Sequence, residues 1–467
     1  MSSDDVVLFL PIREIAGMLR RKEVSPTELA QISLKRLKKF GPEYNAVITI
    51  TEKLAMRKAN LAERELLAGK DRGLLHGIPY GAKDLLATAG GIPTTWGAAP
   101  LRTQKFDYDA TVIQRLESAG AILAAKLSMV ELAGGMGYRK PNASFTGPGI
   151  NPWDTSRWSG GSSTGPGSAV AAGLVPFSIG SETWGSIMAP AANCGITGLR
   201  PTYGRVSRYG AMALSWTLDK LGPMGRTADD CGLILQAIAG VDPKDPSASS
   251  RLFQYTAVDD GRPFKLAVLK DVLRNLEDSV LENFQESLRV IGDRCSVTEI
   301  DLPDLPYEAA ARTILNAEAA SAFDVFIESG MSHELSAPDD RYGGYAKEVV
   351  LAKDYLRALR IRGLAARAVD DSLAGFDALV APTRRNVASG LDEELRAAFR
   401  GVSSDVIGGM GNLIGLPGVS VPNGFGERGL PTAILFVGKA FEENTVLAIA
   451  RHYQSLTDWH RRYPPIA

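Results

Sequence analysis

Apolar and polar positions along the chain predict a long series of short helices and strands, with no internal repeat and no low-complexity linker. The first strong signal is Ser25-Pro26-Thr27-Glu28. A serine N-cap, a proline at the first helical position and a glutamate placed for a capping box open a helix running to about Lys39. Residues 45–50 then read as a strand and 52–68 as a charged, solvated outer helix. An apolar run from Leu74 leads to Lys83 and Asp84 through Gly81 and Ala82. A helix over 111–119 and a buried strand over 121–125 follow, and 126–137 opens a polar loop that ends at Asn151-Pro152-Trp153. Further on, Gly222-Pro223-Met224 precedes an amphipathic helix over 229–239, and 265–269 is strand-like. Residues 306–373 are mostly helical, and strands over 377–382, 415–422 and 430–438 precede a last helix.

The stretch from Ser156 to Tyr209 is rich in Gly, Ser and Ala without the pattern of a linker, which would stay solvated. Ala169-Val170-Ala171-Ala172 forms a short packed helix and 175–179 an alternating strand. Two serines stand on the glycine turns around them: Ser162 in Gly160-Gly161-Ser162-Ser163 and Ser186 in Thr183-Trp184-Gly185-Ser186. From this stretch alone, loop serines that satisfy turn hydrogen bonds and serines that do chemistry are equally good readings.

Composition narrows the classes. With 52 basic and 53 acidic residues the net charge is -1, so no overall field favours nucleic acid or an anionic membrane. A hydrophobic share of 45% with 22% charged residues is that of an ordinary soluble globular protein. Cys194, Cys231 and Cys295 form no CxxC pair, which argues against a disulfide framework or a cysteine zinc site. The amino terminus lacks the basic region of a signal peptide, and no apolar run reaches the length of about 18 residues that a membrane span needs. These features predict a cytoplasmic protein.

The four histidines, His76, His333, His452 and His460, sit in no motif that would build a Ser-His-Asp triad. His76 comes nearest, because it precedes Lys83, and its expected role is structural. SxxK, GxxxxGK[ST] and HExxH patterns are absent as well. Lys83 itself has two readings. A lysine in an apolar segment either snorkels to the surface or is buried and tends to lose its proton.

Five ordered motifs nevertheless resemble the amidase signature family: Leu75-His76-Gly77-Ile78-Pro79 leading to Lys83-Asp84, then Gly160-Gly161-Ser162-Ser163, Gly185-Ser186-Ile187, Cys194-Gly195, and Gly198-Leu199-Arg200-Pro201-Thr202. Gly415-Leu416-Pro417 and Gly429-Leu430-Pro431 extend the resemblance over nearly the whole chain. It implies an α/β fold, with a mixed β-sheet sandwiched between layers of α-helices in a single domain over 1–467, and a helical region at about 306–373 covering the site. It also implies a catalytic set of Lys83, Ser162 with a cis peptide, and the nucleophile Ser186. The physical logic is consistent: a serine hydroxyl is a weak nucleophile that needs a base, and a lysine serves as one only when burial keeps it neutral. Ser162 would relay the proton. The backbone N–H groups of Thr183, Trp184, Gly185 and Ser186 would form an oxyanion hole, worth roughly 3 to 4 kcal/mol per donor.

The implied activity is hydrolysis of a carboxamide, or of a related carbamate or ester, through an acyl-enzyme on Ser186. It takes a small-molecule amide as substrate, needs no cofactor or metal and no nucleic-acid or membrane partner, and leaves a homodimer open. Two rivals share the motifs. One is the glutamine-hydrolysing subunit of a tRNA-dependent amidotransferase, against which stands the poorly Ser/Thr-populated loop Gly135-Met136-Gly137-Tyr138-Arg139-Lys140. The other is an inactive binding protein, against which stands the retention of Lys83, Ser162 and Ser186 together.

Two departures from the family pattern matter. Trp184 stands where glycine is usual, and its indole either lines the pocket, favouring uncharged apolar amides, or turns into the core. Met188 stands where arginine is common, which removes a fixed positive charge beside Ser186.

Overall fold

The computed structural model describes residues 3–258, 261–347, 349–395 and 405–466. Its strands, in chain order, are β1 Val47–Ile50, β2 Pro79–Lys83, β3 Ile122–Leu127, β4 Ile150–Asn151, β5 Asp154–Trp158, β6 Phe177–Glu182, β7 Thr197–Arg200, β8 Lys220–Gly225, β9 Phe264–Leu269, β10 Cys295–Ile300, β11 Ala378–Pro382, β12 Gly418–Phe425 and β13 Pro431–Gly438. All but the β4–β5 hairpin join one 11-stranded sheet in the order β1-β3-β2-β6-β8-β7-β12-β13-β11-β9-β10. It is mixed. β3, β2 and β6 form one parallel block, β11, β9 and β10 another, and antiparallel pairings through β8, β7, β12 and β13 connect them.

Both faces of the sheet are covered by helices, and the alternation along β13 shows it. Ile434 and Phe436 belong to one apolar cluster, whereas Leu435 and Val437 belong to the other. A strand buried on both sides reads as a continuous apolar run rather than an alternating one. The helix Pro26–Phe40 opens with the expected capping box: Glu28 N–H donates to Ser25 Oγ at 3.1 Å and Ser25 N–H to Glu28 Oε2 at 2.8 Å.

The fold differs from the sequence reading at two places beside the site. Lys126, expected to open a polar loop, lies inside β3 and is fully buried, because Asp84 Oδ1 is 3.1 Å from its ammonium. Gly222-Pro223-Met224, expected only to precede a helix, lies in β8 at the middle of the sheet. Glycine and proline hide that strand from propensity arguments. The backbone nevertheless needs glycine there, since a Cβ on Gly222 would fall 2.1 Å from the Leu199 carbonyl oxygen of β7.

The region 306–373 holds two long helices, Tyr307–Glu328 and Ala352–Ser372, packed on each other. Glu318 of the first accepts from the Thr217 N–H at 3.0 Å and Thr217 Oγ1 at 2.8 Å, and Arg362 of the second donates to Thr217 Oγ1 at 2.8 Å. Both helices are thereby tied to the loop that leads into β8. Among the described residues no helix is long and apolar enough to cross a membrane.

Candidate active site

The site gathers at the carboxyl ends of the parallel strands β2 and β6, the position where open α/β sheets commonly bind ligands. Lys83 is the last residue of β2 and is fully buried. Its Nζ donates to Ser162 Oγ at 2.7 Å and to Ser181 Oγ at 2.9 Å. Burial pushes its pKa down to about 7, only partly opposed by the negative charges of Asp219 and Glu182. Of the two readings of Lys83, the structure therefore has the buried one. Ser162 follows a cis peptide bond after Gly161, and its carbonyl accepts from the Val130 N–H at 3.1 Å. The neighbouring Ser163 N–H donates to the carbonyl of Ser186 at 3.3 Å, joining the two serine turns.

Ser186 sits on the turn between β6 and the helix Met188–Cys194, and it retains 8% of its surface exposed. The left-handed position of this turn is Gly185, with φ of 81°. Trp184 needs no such conformation, so an indole at that position is compatible with the backbone path. Among the described residues, the backbone N–H groups of Thr183, Trp184, Gly185 and Ser186 have no hydrogen-bond acceptor. The next two do: Glu182 Oε2 accepts from Ile187 N–H at 2.9 Å and from Met188 N–H at 3.0 Å. Met188 itself is buried in the core cluster beneath the turn.

Of the two courses expected for it, Trp184 takes the one toward the core: its half-buried ring packs against the apolar cluster that includes Met188 and Met410. Its Nε1 donates to Asp405 Oδ2 at 2.8 Å, and Arg312 lies 5.4 Å from the ring. Asp405 also caps the helix Val406–Leu413, accepting from Gly408 N–H at 3.0 Å. The indole is thus a strut between the Ser186 turn and the helical layer. A cavity of about 220 Å³ opens beside Ser181, lined by Thr183, Asp219, Leu214, Trp216 and Lys244 among others. Trp184 is not among its lining residues.

Several groups escaped the sequence reading. Ser181 completes the surroundings of Lys83. Asp219, half-buried just before β8, accepts from Thr183 Oγ1 at 2.5 Å and from the N–H groups of Leu214 and Ser215 at 2.8 and 2.9 Å. Glu182 is fully buried, and its Oε1 accepts from Arg200 Nη1 at 2.9 Å and Asn412 Nδ2 at 3.2 Å. Burial alone would raise its carboxyl; the charges of Arg200 and Lys220, with the Met188 N–H, hold it down at about 2. A lone carboxylate at the end of the apolar strand β6 is the signal that could have found Glu182. His76 is structural, fully buried with Nε2 3.2 Å from Glu65. The three cysteines are buried and free.

A family model for amidases matches residues 28–447, nine-tenths of the molecule. The chain belongs to the amidase family. It is an enzyme of the class that acts on amide C–N bonds. A glutamyl-tRNA(Gln) amidotransferase subunit from Halorhodospira halophila is 35% identical over 481 residues, covering 97% of this chain and 98% of that one. The peptide amidase from Stenotrophomonas maltophilia superposes with a TM-score of 0.85 at 29% identity, over 98% of each chain. The corresponding glutamyl-tRNA(Gln) amidotransferase subunit from Thermotoga maritima gives a TM-score of 0.80 at 28% identity, over 98% of this chain and 97% of that one. The mixed sheet between helical layers is the fold these structures share.

Proposed function

We propose that the chain hydrolyses a carboxamide through an acyl-enzyme on Ser186. The observation that carries this reading is the buried lysine amine in contact with Ser162, beside a turn whose N–H groups are unclaimed. Ser186 Oγ attacks the amide carbon while its proton passes to Ser162 and on to the neutral amine of Lys83. The resulting oxyanion takes the free N–H groups of Thr183 to Ser186. On collapse the C–N bond breaks, the proton returns to the leaving nitrogen, and water later releases the carboxylate by the same relay. The chain works as one domain, with the helices of 306–373 closing over this site.

Two readings of the substrate differ. The apolar-amide reading requires an indole in the pocket, and Trp184 is held by Asp405 and Arg312 instead. Glutamine hydrolysis has more support. Curated relatives over nearly the full length are named as subunits of glutamyl-tRNA(Gln) amidotransferase, and the cavity beside Ser181 is lined by charged Asp219, Lys244, Arg208 and Asp245. Burying glutamine's α-ammonium and α-carboxylate requires charged partners of that kind. This reading brings partner proteins with it, because those relatives are parts of a larger enzyme.

The test measures ammonia release from glutamine and from a panel of aryl and alkyl amides, with the chain alone and with proteins that co-purify with it. Ser186→Ala is expected to abolish release of amine from every amide while the protein stays folded. Turnover above a tenth of wild type would assign the nucleophile elsewhere. Hydrolysis of aryl amides in preference to glutamine, with no co-purifying partner, would restore the apolar-amide reading.

A further inference from the structure

The turn that carries Ser186 is suspended between two carboxylates, the half-buried Asp219 and the fully buried Glu182. Alternation along β6 puts Ser181 and Glu182 on opposite faces of the sheet. On the cavity side, Asp219 grips the Thr183 hydroxyl at 2.5 Å. On the core side, Glu182 takes the Ile187 and Met188 N–H groups. The two oxygens of Glu182 divide their work: Oε2 accepts only from the turn, and Oε1 accepts from Arg200 and Asn412. The carboxylate is therefore tied on one side to β7 and the helix Val406–Leu413, and on the other to the backbone immediately after Ser186.

A buried carboxylate is costly unless each of its oxygens is paired, and this one is. An apolar residue would fill the same space, but it would leave the Ile187 and Met188 N–H groups without an acceptor. The turn would then have two further donors competing to rearrange. With Glu182 in place, claimed and unclaimed N–H groups divide sharply at Ser186.

We propose that Glu182 is the positioning residue of the oxyanion turn: by anchoring the Ile187 and Met188 N–H groups to Arg200 and Asn412, it fixes the four preceding N–H groups in the arrangement that receives the oxyanion. This rests on the reading of Ser186 as nucleophile. Preorganised donors of this kind cost no reorganisation at the moment of reaction, so loosening them raises the barrier without weakening ground-state binding.

Glu182→Gln tests it. The amide keeps the volume, but its NH2 must face either the turn N–H groups or Arg200 and Asn412, so one side always meets a repelling donor. The readout is the second-order rate of phosphonylation by a fluorophosphonate, which needs no knowledge of the natural substrate. In that step the Ser186 Oγ–P bond forms, the P–F bond breaks and fluoride leaves. The serine proton goes to Lys83, and the phosphoryl oxygen draws on the same N–H groups. The expected result is a rate roughly 10- to 100-fold slower on the plateau where Lys83 is neutral, with full final labelling, and an acid limb displaced to lower pH, because the Glu182 charge that partly opposes the lowering of the Lys83 pKa is gone. A merely structural role would lower the fraction of chains labelled and leave the rate of the rest alone. A rate within threefold of wild type overturns the proposal.

Should Glu182→Gln not fold, Asn412→Ala removes one of the anchors on Oε1 and is expected to slow labelling three- to tenfold with full stoichiometry. An unchanged rate there overturns the proposal equally. Labelling of Ser186→Ala at the wild-type rate would instead sink the underlying assignment of the nucleophile, an outcome the Glu182 variants cannot mimic.

Discussion

Lys83 Nζ lies 2.9 Å from Ser181 Oγ, so the buried amine is held from two sides, by Ser162 at 2.7 Å and by a serine on the adjacent strand. Two hydroxyls are little solvation for an ammonium, and they are what the site offers in place of water. Ser181 also lines the cavity, so the buried amine and the cavity share this residue.

Ser181→Ala should therefore make the charged form of Lys83 still less favourable. The acid limb of the activity profile is expected to move to lower pH, and kcat to fall roughly 3- to 30-fold as the amine loses one of its two anchors, within the range that general-base geometry commonly controls. A limb that moves up, or no change in either quantity, would mean that Ser181 only fills space.

Lys83 links activity and stability in the same sense, both rising with pH. Burial lowers its folded pKa to about 7, so activity should rise with pH through that value as the amine becomes free to accept a proton. Its unfolded pKa is near 10.4, so between about 7 and 10.4 the unfolded chain binds more protons and the contribution of this group to stability rises with pH. Lys83→Met removes the penalty. The variant should be inactive yet more stable near pH 7, by roughly 3 to 5 kcal/mol from a shift of that size. Denaturant titrations of both proteins from pH 6 to 10 check it, and equal stability curves would place a charged, well-paired ammonium at this position.

Some of this was legible in the sequence and some was not, for a definite reason. Lys83 and Ser162 are 79 residues apart, yet motif order alone set them together, and the fold brings them into hydrogen-bond contact. The capping box of Ser25 and Glu28 was legible because it is local. Ser181, Asp219 and the Glu182–Arg200 pair were not, because each contact crosses between strands whose neighbours are set by the sheet. Glu182 faces Lys220 across the β6–β8 register, and β8 itself is concealed by Gly222 and Pro223. Lys126 reads as a loop residue until Asp84 from the end of β2 is placed beside it.

A pair of buried carboxyls gives a pH signature of its own. Glu131 is satisfied, accepting from the Ser336 and Ala337 N–H groups at 2.9 and 3.0 Å. Both oxygens of the fully buried Asp340 lack a donor. Burial first, then the nearby charge of Glu131, pushes the Asp340 carboxyl up, partly offset by Lys347. Asp340 is thus the protonated member, and its unfolded pKa is near 3.9. Between that value and the raised folded one the native state binds more protons, so its contribution to stability falls as pH rises. Asp340→Asn keeps a donor toward Glu131 without a titratable proton. It should flatten this fall, with stability near pH 5 within about 1 kcal/mol of wild type. A variant that loses stability in parallel with wild type as pH rises would show that the proton is not held there.

The indole of Trp184 joins the turn before Ser186 to two elements of the helical layer, through the bond to Asp405 and the stacking of Arg312. A Cβ on Gly409 would stand 3.2 Å from the ring, so the helix Val406–Leu413 is packed closely against it. Removing the ring should accordingly be felt in stability before specificity. Trp184→Gly is expected to cost roughly 2 to 3 kcal/mol, less than the 3 to 5 typical of a fully buried aromatic because the indole is half-buried. Trp184→Phe keeps the packing and gives up the hydrogen bond, costing about 1 to 2 kcal/mol. The ratio of kcat/KM for an aryl amide to that for glutamine should stay within threefold in both, because the ratio reports differential transition-state binding and the ring does not line the cavity beside Ser181. If Trp184→Gly shifts that ratio tenfold while its Tm stays at the wild-type value, the indole touches the substrate and the strut assignment is wrong.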